Sequence, residues 1–330
     1  MRRKSLIVVW LLLAAMFARS AGAGGYDPLA VDKSLKAAQL DLTVHDATRG
    51  RDIPVRVYLP ANTNPEPVVL FSHGLGGSRQ GSAFLGEHWS AHGYVAVFLQ
   101  HPGSDDSVWK DVPPVERMAA MRRAASLENF LLRVKDVPAV LDQLAIWNED
   151  KNSPLAGRMD LSKIGMSGHS FGAVTTEAVS GEDLPLTGNK LTDPRIKAAV
   201  IFSPSTPKHG DVAKAFGSVK VPWMLMTGTR DIAPIGDADM ASRLGVYPVL
   251  HGAPKYEVVL FNAEHSAFTD RPLPGDHEPR NPNHHRVILA LSTAFWDAYL
   301  RGDSNALAWL SGPGPRLVME PADQWQFSAK

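Results

Sequence analysis

Cysteine is absent from the 330-residue chain. Its absence excludes disulfides, thiolate metal sites and every mechanism built on a cysteine nucleophile, even in an oxidising compartment. A surplus of charge is absent too. The 34 basic side chains are matched by 34 acidic ones, so no basic excess or cluster is available to attract nucleic acid or an anionic membrane. The 27 glycines and 25 prolines are scattered rather than gathered into a tract, which argues against a long linker or a low-complexity arm. What is present is 44% hydrophobic and 21% charged residues, enough to bury one large core.

No apolar run reaches the roughly 18 residues needed to cross a bilayer. The longest, Leu6 to Ala18, follows Arg2, Arg3 and Lys4 and precedes Ala21-Gly22-Ala23. That is the plan of an export signal cleaved after Ala23, and with no cysteine behind it a lipid-anchored form is excluded. Cleavage would leave residues 24–330 as one domain with 30 basic and 34 acidic groups, a formal charge of −4. The expected location is the periplasm or the medium, with no stable membrane insertion and no nucleic-acid partner.

Residues 37–60 alternate, as in Val55-Arg56-Val57-Tyr58-Leu59, and read as an antiparallel hairpin at a sheet edge. Beyond them come short, continuously apolar runs: Val68 to Phe71, Tyr94 to Leu99, Lys163 to Met166, Ile196 to Phe202, Trp223 to Thr227 and Tyr256 to Phe261. Such strands belong to a parallel sheet covered on both faces. Helical stretches lie between them. The longest is expected from about Val115 to Trp147, with Pro138 bending or interrupting it, and the last from about His285 to Leu300. The fold class is α/β: a mostly parallel sheet with helices on both faces. The tail from Asn305 shows no clear period and is expected to lie over the surface.

Strand Lys163 to Met166, the turn Gly168-His169-Ser170-Phe171-Gly172 and the helix-prone Ala173 to Ala178 give the strand, turn and helix order of a nucleophile elbow, with Ser170 at its tip. A bare five-residue match carries little weight; its context carries more. Phe71-Ser72-His73-Gly74-Leu75-Gly76-Gly77 follows an inner strand, and its glycine-rich backbone can turn an amide toward a substrate oxygen. The N–H groups of Leu75 and Phe171 are therefore the candidate oxyanion donors. Asp231 follows the strand ending at Thr227, and His265 follows the one ending at Phe261, completing the order Ser, Asp, His. In these roles His265 takes and returns the Ser170 proton while Asp231 orients the ring. Asp237 and Asp239 are rival acids. Trp109, in the loop after another strand end, is a candidate for contact with substrate.

Asp276, His277, Glu278, His284 and His285 cluster in a proline-rich loop without regular ligand spacing. They read as a solvated loop, and neither metal nor cofactor is expected. His73 and His169, beside the candidate residues, are expected to shape the site without transferring protons.

With Phe71 to Gly76, Ser90-Ala91-His92-Gly93-Tyr94, Gly168 to Gly172 and Asp231-Ile232-Ala233-Pro234 in place, the chain resembles the α/β-hydrolase superfamily from about Val55 to Leu300. Within it, the chain is similar to the dienelactone hydrolase-like group that includes platelet-activating-factor acetylhydrolases and bacterial polyester hydrolases. The resemblance implies the α/β-hydrolase fold and cleavage of carboxylic esters. Two departures matter. Dienelactone hydrolases use cysteine, which is missing here. Eukaryotic acetylhydrolases place the acid where this chain has Ser203, so the resemblance to polyester hydrolases moves it to Asp231. Little chain separates Ser203 from Val221, so no large lid is expected and an open site suits short acyl or exposed polymer esters. A peptidase or amidase on the same residues, and a binding protein that keeps the fold without turnover, are the other readings.

Overall fold

The alternation and the continuous apolar runs both become strands, and what separates them is position in the sheet. The computed structural model describes residues 25–31, 37–185, 187–236, 238–273 and 275–329; the expected export signal, residues 1–23, and Asp237 lie outside them. Nine strands occur among the described residues: β1 (Ala38–Asp46), β2 (Arg51–Leu59), β3 (Glu66–Ser72), β4 (Val95–Leu99), β5 (Met159–His169), β6 (Ile196–Phe202), β7 (Trp223–Arg230), β8 (Lys255–Glu264) and β9 (Gln324–Ser328). They form one sheet in the order β1-β2-β4-β3-β5-β6-β7-β8-β9. From β4 through β8 the pairing is parallel. The hairpin β1–β2 joins antiparallel at one edge, as expected, and β9 joins antiparallel at the other.

The helices are α1 (Ala83–Ala91), α2 (Ser107–Lys110), α3 (Pro114–Ala124), α4 (Leu127–Glu149), α5 (Phe171–Ser180), α6 (Val212–Phe216), α7 (Met240–Leu244), α8 (Pro282–Trp296) and α9 (Ser304–Ser311). Successive β3 side chains point to opposite faces, because the strand repeats every two residues. Val69 and Phe71 join Leu85 and Trp89 of α1 and Ile288, Leu291 and Phe295 of α8 in one core. Val68 and Leu70 join Val134, Val137, Leu141 and Leu144 of α4 in another. Both faces are covered, which is why β3 has no polar face to show in the sequence. This is the α/β-hydrolase architecture.

Two expectations, on the long helix and on the tail, need correction. The long helix expected from Val115 is two helices. Ser126 is extended (φ −111°, ψ 158°), and its side chain accepts the Asn129 amide, so it caps a new helix where the apolar spacing alone suggested continuity. Pro138 lies inside α4 without ending it, because the buried face of Val134, Val137, Val140 and Leu141 outweighs the missing hydrogen bond. The tail does not simply drape over the surface: it supplies α9 and β9. Trp325 pairs opposite Val258 and Phe327 opposite Tyr256, with both rings within 6 Å of the Tyr256 ring.

Helix α8 runs into a π-helical turn, Asp297–Arg301, closed by Gly302. Buried Asp297 accepts hydrogen bonds from Tyr26 (2.6 Å), Tyr94 (2.5 Å) and His92 Nε2 (2.9 Å), tying the segment before β1 to the end of the fold. Burial opposes its ionisation, but the His92 and tyrosine donors hold its pKa below the ordinary carboxylate value. Asp297→Ala should cost about 2 kcal/mol or more in urea denaturation at pH 7, since it strands the buried Tyr94 hydroxyl and two half-buried donors, Tyr26 and His92. A carboxylate with a lowered folded pKa contributes stability above its unfolded pKa and loses it as pH falls. The gap between wild type and variant should therefore shrink toward pH 3, about where ordinary carboxylates titrate.

Candidate active site

Strand β5 passes into α5 through Ser170 alone. Its backbone (φ 57°, ψ −115°) lies where non-glycine residues are strained, a geometry that lifts the side chain above the sheet. Close backbone approach makes the turn possible. A Cβ on Gly172 would lie 1.9 Å from the Ser72 carbonyl oxygen, so the first turn of α5 rests directly on the end of β3. The Ser170 amide donates to the Phe202 carbonyl at the end of β6 (3.1 Å).

Asp231 and His265 sit just past the ends of β7 and β8. These strands converge so closely that a Cβ on Gly228 would lie 2.1 Å from the Ala263 carbonyl oxygen. The structure brings all three predicted side chains together: His265 Nε2 is 2.8 Å from Ser170 Oγ, and Nδ1 is 2.6 Å from Asp231 Oδ1. A proton on Nδ1 satisfies the carboxylate and leaves Nε2 to accept from the serine hydroxyl. Asp231 is fully buried. Its other oxygen accepts from Thr227 Oγ1 (2.9 Å), and Arg243 Nη2 lies 3.5 Å from Oδ1. Burial pushes the Asp231 pKa up, yet facing His265 and Arg243 holds it well below the ordinary value. The rival Asp239 is exposed and caps α7 through the Ser242 amide.

The loop after β3 lies against the elbow: a Cβ on Gly74 would be 3.4 Å from Ser170 Cβ. Among the described residues neither the Leu75 nor the Phe171 amide donates to a protein acceptor, whereas Gly76 and Gly77 after the one and Ser170 before the other do. Trp109 stands in the pocket wall, and its indole N–H donates to the Gly76 carbonyl (2.7 Å). His73 is buried; it donates from Nδ1 to the Gly74 carbonyl and accepts the His101 amide at Nε2. His169 packs 4.6 Å from the His265 ring, and burial with that neighbour lowers its pKa far below the imidazole range. Both stay neutral.

Around Ser170 opens a cavity of about 1470 Å³, larger than the roughly 300–1,000 Å³ of a drug-sized site. Sequence reasoning missed much of its wall. Met118 and Met121 reach it from α3 and Phe130 from α4; their spacing was visible, but within one long expected helix. It also missed Arg243 and Thr227, which have no pattern of their own, and Glu177 and Glu182, both buried and both lining the cavity. The Asp276 to His285 cluster finds other partners: Glu264 accepts the His277 and Glu278 amides, and His285 stacks on Phe84 at 3.7 Å. Among the described residues no group of three or more His, Asp or Glu side chains is arranged to hold a metal.

A serine on a strand-to-helix turn, with a histidine and a buried aspartate at later strand ends, places the chain in the class of α/β-hydrolases. The comparison is narrower. The family model described as PETase, PET hydrolase-like, matches residues 54–272, and the chain belongs to that family. It is 26% identical to Cutinase 2 of Thermobifida cellulosilytica over 261 residues, 79% of this chain and 78% of that one. It is equally identical to Cutinase cut1 of Thermobifida fusca over the same share of this chain, covering 64% of that relative. A platelet-activating factor acetylhydrolase of Cavia porcellus is 26% identical over 157 residues, 40% of this chain and 36% of that protein.

Two outcomes are expected. Gly172→Ala drives a methyl group into the β3 carbonyl and should lower thermal stability by about 1–3 kcal/mol or more. Burial raises the Glu182 pKa from 4.5 to about 7, and that of Glu177 is raised by burial and by Glu182. An acid with a raised folded pKa is fully compatible with the fold below its unfolded pKa and costs stability as pH rises to the folded one. Wild type should thus lose stability between pH 4.5 and about 7. Glu182→Gln should remove up to about 3 kcal/mol of that loss, at 1.4 kcal/mol per unit, read as Tm against pH.

Proposed function

We propose that the protein is a serine hydrolase of carboxylic esters, working through an acyl-enzyme with Ser170 as nucleophile, His265 as general base and acid, and Asp231 as the buried carboxylate that orients His265. The single observation that carries this reading is the unbroken run of short contacts from Ser170 Oγ to His265 Nε2, and from Nδ1 to Asp231, beside two amides without a protein acceptor among the described residues. In the first half-reaction Oγ attacks the ester carbonyl as its proton moves to Nε2. The carbonyl oxygen takes up the negative charge facing the Leu75 and Phe171 N–H groups. Collapse expels the alcohol, which takes the proton from His265. Water repeats the sequence in the second half, freeing the acid and restoring Ser170. This chemistry needs neither metal nor cofactor.

The substrate follows from the cavity. Trp109, Met118, Met121, Phe130 and Val174 offer apolar surface close to Ser170, and only the short α6 stands between β6 and β7. An open apolar cleft admits short acyl esters or a segment of a polymeric ester, and the cutinase relatives support the polymeric choice. The single catalytic domain is residues 24–330, exported after loss of residues 1–23; among the described residues no helix is long and apolar enough to cross a membrane.

Four measurements check the reading. A fluorophosphonate should label purified protein at Ser170, located by mass spectrometry, and p-nitrophenyl acetate and butyrate should be cleaved far faster than their anilide analogues. No adduct at Ser170 together with no ester turnover contradicts it. Asp231→Ala should lower kcat by on the order of 10⁴-fold, while Asp239→Ala should cost no more than a few-fold; the reverse pattern would move the acid. N-terminal sequencing of exported protein should begin at Gly24.

A further inference from the structure

We propose that Arg133, in the second turn of α4, is a positioning residue that clamps the two chain segments bearing the oxyanion donors and leaves its positive charge beside them. The inference rests on the ester-hydrolase reading above.

Arg133 is completely buried, and its guanidinium meets each segment that carries a donor. Toward the loop after β3, Nη2 donates to the His73 carbonyl and to Ser72 Oγ (3.1 Å). Nη1 donates to Ser104 Oγ (2.9 Å), and the Ser104 carbonyl in turn accepts the Gly76 amide (2.8 Å). Leu75 is therefore held on both sides, through His73 and through Gly76. Toward the elbow, Cζ lies 4.6 Å from the centre of the Phe171 ring, and Nε donates to Thr175 Oγ1 (3.2 Å), whose hydroxyl donates to the Phe171 carbonyl (3.0 Å). A planar fork with fixed donors can span these directions at once; an ammonium cannot.

The charge balance points the same way. A buried guanidinium ordinarily sits against a carboxylate, yet among the described residues every direct hydrogen-bond partner of Arg133 is neutral. The nearest acid on its own helix, Asp136, is already occupied by Arg49, Arg51 and His101. Asp136 and Asp105 still attract the guanidinium from beyond hydrogen-bond range and Arg51 opposes it, and His101 also faces it. Burial pulls the Arg133 pKa down to about 9, which leaves it charged at neutral pH. A carboxylate in contact would cancel most of its field. With neutral groups in direct contact and the carboxylates of Asp136 and Asp105 farther off, part of that field is left to act where negative charge develops as Ser170 attacks.

The test uses the full-length mature protein and the variants Arg133→Met and Arg133→Lys, with folding checked by circular dichroism and Tm. Three quantities are compared: kcat and KM on p-nitrophenyl butyrate, and the Ki of an aryl trifluoromethyl ketone, whose carbonyl carbon bonds to Ser170 Oγ and leaves an oxyanion in the same place. Arg133→Met should lower kcat by about 10²–10³-fold, the range for losing one oxyanion donor, with KM changed less than about threefold and the ketone Ki rising in step with kcat/KM. Arg133→Lys, which keeps the charge without the fork, should recover part of that loss but stay at least tenfold below wild type, by analogy with other fork-dependent sites. Should Arg133→Met fail to fold, Arg133→Lys alone decides. Wild-type kcat in a folded variant, or a loss of kcat with an unchanged ketone Ki, overturns the proposal. Absence of ester turnover in wild type instead removes the functional reading, and this inference with it.

Discussion

The contact on which the site depends is the one between two backbones, Gly172 and Ser72. Where any side chain at 172 would occupy the space of the Ser72 carbonyl, the first turn of α5 can lie on the end of β3. That single approach brings a strained Ser170, the amide that follows it and the glycine-rich loop into one volume. Convergence of β7 and β8 at Gly228 and Ala263 does the same for Asp231 and His265. Parallel strands end at a common edge of the sheet, so residues far apart in sequence meet there with short connections. The chemistry is placed by backbone packing first and by side-chain hydrogen bonds second.

Charge is then distributed around that frame unevenly. Asp231 is enclosed by Thr227, His265 and Arg243 and stays ionised in a buried site. Asp136 is surrounded by two arginines and a histidine. Arg133, one turn away on α4, is left among hydroxyls, a carbonyl and an aromatic face. Asp136 is thereby paired behind the site, while Arg133 has only neutral direct hydrogen-bond partners among the described residues beside the place where the proposed reaction would generate an anion.

Much of this was legible in the sequence, and the limits are physical. Continuous apolar strands declared a sheet buried on both faces, and Ser170, Asp231 and His265 were readable because each follows such a strand in chain order. Leu75 and Phe171 were proposed as donors from backbone logic, since Gly74 and Gly76 flank the one and Gly172 follows the other. Less was visible where position depends on a cap or on pairing. Ser126 ends one helix and starts another by a local hydrogen bond that hydrophobic spacing does not register, and so the α3 wall with Met118 and Met121 was hidden. β9 alternates over only five residues, and its partner β8 gives its pattern meaning. Arg133 reads as one more charged residue on an amphipathic helix; only the fold reveals that it points inward.

The chain belongs to the PET hydrolase-like family, and its ester chemistry is proposed to centre on an oxyanion held between the β3 loop and α5. The most direct measurement is a crystal structure of the Ser170 adduct with a fluorophosphonate. The account requires the phosphoryl oxygen to lie about 2.7–3.1 Å from both the Leu75 and Phe171 nitrogens, with His265 still bonded to Asp231. An adduct whose phosphoryl oxygen faces solvent, with the Leu75 amide turned away, would contradict it.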